Sequence, residues 1–318
     1  MLRQVKALNP LRAVRRVRQL FAAIDAIPAL QNKVEQIMVA QQKDARFADR
    51  VDAFRERMDP AQLAASTKAA VMRATLGQDP CPHLVVDELL PDDFYDEMLS
   101  ALPATVFFKQ ETGREEMQVP LPFAPLYSRV VWDFFFTNAV ERAIIPAAEE
   151  KFSCALDAMI ARYWPGLGSW RESGIHLTVR NSRLLLRRPG YEIRPHRDPR
   201  WAFVTCLVYL QRRDAPNVYG TQLLRLRNER EPAHSSPFWV DYGECELVKD
   251  VPGVRNSALM FVNSTGMHAA SIGGDAPANL ERYVYQVQFG PDEATRERLI
   301  ASLSDADRPG WTMKSTSY

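Results

Sequence analysis

The chain has 318 residues, 46% of them hydrophobic and 25% charged, with a formal net charge of +1. That length holds one large domain or a main domain with an appendage. The composition is that of an ordinary globular protein, and the near-neutral balance argues against a general nucleic-acid binder.

Residues 1–75 read as a helical N-terminal segment. Asn9 and Pro10 make a cap and first turn, followed by Leu11, Val14, Val17, Phe21 and Ile24 at helical spacing. Beyond Pro28, the positions Leu30, Val34, Ile37, Gln41, Asp44, Ala48 and Val51 follow a heptad diluted by polar residues, compatible with a weak coiled coil. Six of the first eighteen residues are Lys or Arg, and no acid precedes Asp25. Such a helix is either a solvated appendage or a surface for peripheral membrane contact, partner docking or self-association. The uninterrupted apolar core of a signal peptide is missing. Cys81, Cys154, Cys206 and Cys245 are widely spaced with no C-x-x-C pair, so the expectation is a cytoplasmic protein with reduced thiols.

The texture changes near residue 79. "HLVV", 83–86, reads as a short strand, and Pro91, Asp92 and Asp93 open a helix whose acids suit the positive end of its dipole. A further helix is expected from Asn138 to about Met159. From 175 onward the segments "IHLTVRNSRLLLRRPG", "WAFVTCLVYL", "TQLLRLR", "SALMFV" and "RYVYQVQF" read as strands separated by loops. Strands in succession without alternating helices imply an antiparallel sandwich or barrel. The expected organisation is a mainly β domain over 76–292 with flanking helices, then a C-terminal helix and tail over 293–318.

The chemistry centres on "RPHRDP". His196 and Asp198 are two residues apart on extended backbone, so their side chains point the same way and can share one metal. His268, beyond the apolar run "SALMFV", supplies a second imidazole if its strand lies beside the first. Two imidazoles and a carboxylate are the ligand set that holds ferrous iron on one face and leaves the opposite positions open. In "RYVYQVQF", alternation places Arg282, Val284, Gln286 and Gln288 on one face. An arginine and two glutamines there suit a pocket wall that holds an anion. His83 and His176 read as structural. His234 sits in an irregular loop where a second metal site is not expected.

This H-x-D, a distant H and then an Arg fourteen residues on resemble the Fe(II)/2-oxoglutarate-dependent dioxygenase superfamily, in its prolyl-4-hydroxylase-like branch. "PCPHLVVDELLPDDFYDEML" is similar to that branch's opening strand and helix, and "RRPGYEIRPHRD" to its Pro-Gly hairpin; the resemblance spans residues 80 to 290. It implies a double-stranded β-helix (jelly roll) core, with Fe(II) held by His196, Asp198 and His268 and the far carboxylate of 2-oxoglutarate held by Arg282. The implied activity is oxidative decarboxylation of 2-oxoglutarate to succinate coupled to hydroxylation of a C–H bond, with ascorbate as a reductant. Two positions depart from many relatives: Arg187 and Arg188 stand where a tyrosine precedes the Pro-Gly turn, and Val284 stands where a serine follows the arginine by two.

Arginines crowd the expected mouth, among them Arg187, Arg188, Arg197 and Arg200, while Glu192 and Asp198 are the acids between 180 and 200. They are either a solvated rim or a site for an anionic small molecule, sugar or lipid headgroup. Two rival functions remain: a cupin-like metalloenzyme that does not use 2-oxoglutarate, and a non-enzymatic helical scaffold carrying a degenerate barrel.

Overall fold

The computed structural model describes residues 27–28, 30–39, 48–111, 114–119, 121, 123–212 and 219–312. The apolar stripe expected over 11–24 and the basic residues of the first eighteen positions lie outside them, as do Gln41 and Asp44 of the heptad. Residues 30–39 are helical, with Leu30, Val34 and Met38 exposed. Among the described residues no helix is long and apolar enough to cross a membrane.

The strands, in chain order, are β1 (Leu76–Gly77), β2 (His83–Val86), β3 (Lys109–Glu111), β4 (Arg114–Gln118), β5 (Thr178–Arg187), β6 (Glu192–Arg197), β7 (Val204–Tyr209), β8 (Thr221–Leu226), β9 (Phe238–Trp239), β10 (Cys245–Val251), β11 (Ser257–Val262), β12 (Met267–Ser271) and β13 (Arg282–Gly290). They form two sheets, ordered β1-β2-β11-β7-β13-β5-β4-β3 and β10-β8-β12-β6-β9. Every pairing is antiparallel. From β5 to β8 the chain alternates between the sheets strand by strand, and it does so again from β10 to β13.

The larger sheet is covered on both faces, which explains the unbroken apolar runs of β7 and β11. One face of β13, carrying Tyr283, Tyr285, Val287 and Phe289, belongs to the main core with the helices. The other face meets the smaller sheet: Leu185, Leu207, Tyr209, Leu259, Phe261 and Val284 cluster with Leu223 of β8 and Val251 of β10. Period-two alternation thus separates a greasy helical side from an inner side between the sheets.

Helices α1 (Ala48–Arg57) and α2 (Pro60–Arg73) are part of that main core through Phe54, Leu63, Ala70 and Val71. Asp59 caps α2 by accepting from the backbone N–H groups of Ala61 and Gln62, with Pro60 at the first position. The folded unit therefore begins well before residue 76. The helix after Pro91 is α3 (Asp92–Ser100), as its acidic first turn predicts.

In place of one helix from Asn138 to Met159, a continuous helical run extends from α4 (Leu126–Phe135) through a π-helical stretch, Phe136–Ile144, to α5 (Ile145–Lys151) and α6 (Ser153–Tyr163). The early turns are rich in β-branched and aromatic residues of modest helix propensity. Packing overrides that preference: the rings of Trp132 and Phe135 meet Tyr285 of β13 at 5.8 and 5.2 Å. After β13 come α7 (Glu293–Ser302), capped by Asp292, and the short α8 (Arg308–Trp311).

Candidate metal centre

Strands β6 and β12 are neighbours in the smaller sheet, and His196 lies directly opposite His268 in their register. Directly opposed side chains share a face, so the two imidazoles meet with ring centroids 4.0 Å apart. Asp198 follows β6 immediately and turns its carboxylate between them, with Oδ1 3.8 Å from His196 Nε2 and Oδ2 4.0 Å from His268 Nε2. The three candidate ligand atoms lie within 4.8 Å of one another, and all three residues are buried.

The surroundings prepare these groups for a cation. His196 Nδ1 is 2.9 Å from the carbonyl oxygen of Arg194, so an Nδ1–H donates there and Nε2 keeps its lone pair. Burial, aided by the neighbouring His196, pushes His268 down from 6.5 to about 3, which keeps it a neutral imidazole. Burial alone opposes the charge on Asp198, but His268, His196 and hydrogen bonds from Thr205 and Gln288 offset this and hold it below the usual carboxylate range. Two soft-to-borderline nitrogens and one hard oxygen on one side of a small space fit a divalent transition metal with positions left open.

A further layer fixes these side chains. Thr205 Oγ1 donates to Asp198 Oδ2 at 2.6 Å and accepts from Asn263 Nδ2 at 2.9 Å. Gln288 donates to Asp198 and accepts from Asn181 Nδ2 at 3.2 Å. Trp239 of β9 pairs with His196 in register and stacks on its ring, centroids 4.5 Å apart at 22°. Phe261 packs on His268 at 4.7 Å. Thr205 could have been noticed as the one aliphatic hydroxyl in the apolar run of β7. Trp239 gave a weaker signal, an aromatic pair in a stretch that reads as loop.

Arg282 opens β13 on the same alternating face as Gln288, so the guanidinium and the Asp198 partner line one wall. It is buried, with Nη2 donating to the carbonyl of Gly220 at 2.8 Å and its Cζ 5.7 Å from the Tyr209 ring centroid. The Tyr209 hydroxyl bonds Thr221 Oγ1 at 2.9 Å.

The arginines expected at the mouth divide. Arg188 pairs with Glu115 and Glu281. Arg197, between two of the candidate ligands in sequence, alternates to the opposite face and pairs with Glu229. Arg200 pairs with Glu231. These three are committed to carboxylates and offer no free charge to an anionic substrate. Arg187 is buried and has no carboxylate partner among the described residues: its Nη1 donates to the carbonyls of Glu115 and Leu186.

No protein-family model and no curated protein matches the chain. Among solved structures it is similar to a prolyl-4-hydroxylase from Pseudomonas putida, at 16% identity over 71% of this chain and 99% of that one, with a TM-score of 0.34. An oxidoreductase of the 2OG-Fe(II) oxygenase family from Burkholderia pseudomallei is 8% identical over 74% of this chain and 91% of that one, TM-score 0.39. HygX from Streptomyces hygroscopicus, solved with nickel, 2-oxoglutarate and hygromycin B, is 12% identical over 66% of this chain and 83% of that one, TM-score 0.40. At such values the similarity assigns no role to any residue of this chain; the site itself must do so.

Proposed function

We propose that this protein is an Fe(II)- and 2-oxoglutarate-dependent oxygenase built on a double-stranded β-helix, which hydroxylates a C–H bond. The observation that carries the proposal is the buried His196–Asp198–His268 cluster on adjacent strands, with both Nε2 atoms turned to one carboxylate. His196, Asp198 and His268 would hold Fe(II), where O2 would be the oxidant, taking two electrons from 2-oxoglutarate as it loses CO2 to become succinate and two from the C–H bond that is hydroxylated. Thr205 and Gln288 orient Asp198, and the Arg194 carbonyl fixes the His196 tautomer. Arg282 anchors the far carboxylate of 2-oxoglutarate from the wall it shares with Gln288. The walls that Leu185, Leu207 and Val284 build nearby exclude water and strengthen that contact. Ascorbate serves as external reductant.

The test is an anaerobic titration with Fe(II) and then 2-oxoglutarate, following the visible metal-to-ligand charge-transfer band. The wild type is expected to develop it, His268→Ala to lose it, and Arg282→Ala to need far more 2-oxoglutarate. Iron binding without the band would move the protein to the cupin-like class that does not use 2-oxoglutarate. No iron binding would end the catalytic reading.

A further inference from the structure

Arg187 and Arg282 are direct partners in the register of β5 and β13. Opposed residues of an antiparallel pair project from the same face, so both side chains leave on the side between the sheets, close enough for the charge of Arg187 to act on Arg282. Both are well over nine-tenths buried, at 6% and 4% exposure. Among the described residues each donates to backbone carbonyls alone, and in each Nε is buried without a hydrogen-bond partner. Each guanidinium carbon also lies over a tyrosine ring, that of Arg187 4.9 Å from the Tyr191 centroid and that of Arg282 5.7 Å from the Tyr209 centroid.

Acids are at hand but go elsewhere. Arg183 and Arg188, on either side of Arg187 in the chain, take Glu116, and Glu115 with Glu281, respectively. Among the described residues neither of these buried cations has a carboxylate counter-charge, and Arg187 helps burial to press the Arg282 pKa below its ordinary value. An anion between them relieves both the repulsion and the unmet donors.

We propose that Arg187 and Arg282 clamp a single carboxylate, so that the far end of 2-oxoglutarate meets two guanidiniums rather than one. This rests on the reading of Arg282 given above and adds Arg187 as a second binding residue. It also gives a reason for an arginine at a position that departs from the tyrosine of the resembled family. A carboxylate has two oxygens with lone pairs enough for two forks, and charge-assisted bonds of this kind are the strong ones.

The experiment uses the full chain loaded with redox-silent Mn(II). 2-Oxoglutarate is titrated calorimetrically into wild type, Arg187→Met, Arg187→Lys and Arg282→Met, and each protein is melted without ligand. The clamp predicts that Arg187→Met raises the Kd for 2-oxoglutarate at least tenfold while melting at or above the wild-type temperature, because a repelling charge has gone. Arg187→Lys should recover part of the affinity. If Arg187→Met melts lower and binds normally while Arg282→Met loses affinity, Arg187 is a structural tie to β4 and the clamp falls, with the proposed function intact. If neither methionine variant changes the Kd, the clamp and the role of Arg282 fall together.

Discussion

Asp198 is a buried carboxylate whose charge survives burial because His268 and His196 face it and Thr205 and Gln288 donate to it. Thr205 is the most exposed to test, since valine copies its shape and removes only the donor. Thr205→Val is expected to leave the fold intact and weaken metal binding by about 10- to 100-fold, the usual cost of losing such a supporting bond; competition with a chelating dye measures it. His268 carries a pH signature. Its folded pKa of about 3 lies below the ordinary 6.5, so as pH falls the unfolded chain takes up the proton first. The stability this represents is fully present above pH 6.5 and is lost as pH falls toward 3, at up to about 1.4 kcal/mol per pH unit. Urea unfolding of chelator-treated protein at pH 7 and pH 5 should show that loss, and His268→Gln should lack it.

Among the elements, β9 is two residues long, yet it sets an indole against a candidate ligand. Trp239 is 41% exposed, whereas Trp132, Trp164, Trp170, Trp201 and Trp311 are all buried. Iodide should therefore quench one tryptophan component, Co(II) loading should quench the same one, and Trp239→Phe should abolish both responses. Much of this layout was legible in advance. The alternation in "RYVYQVQF" separated a helix-facing side from a polar wall, and Gln288 on that wall proved to touch Asp198. The spacing of His196 and Asp198 foretold one shared face, because a period of two leaves no other choice on extended backbone. What was not legible depends on contacts between distant segments. Trp239 gains meaning only when β9 pairs with β6, and the run from Leu126 becomes helical because Trp132 and Phe135 find Tyr285. Arg188, Arg197 and Arg200 read as free charge until the chain brought glutamates to them.

For the molecule as a whole, the larger sheet and the helices share one core that reaches back to α1. Phe54 is fully buried against Phe94, Tyr127 and Phe134, with ring centroids 5.3 to 6.4 Å away. Phe54→Ala should cost about 3–5 kcal/mol of stability, read from chemical denaturation. Removing residues 1–47 should leave a cooperative thermal transition, whereas removing 1–75 should abolish it, since the second cut strips Val51, Phe54, Leu63 and Val71 from the core. A sequence boundary at residue 75 separates textures; the folded unit does not end there. The opposition of His196 and His268 has a consequence for how this molecule is assembled. A metal bridging them is a rivet across two strands that are far apart in the chain, and it locks their alignment to the residue. On the proposed function, metal supply governs more than turnover: amide protons along β6 and β12 should exchange markedly more slowly once the rivet is in place, and the metal-free chain should be a looser, more perishable form of the same protein.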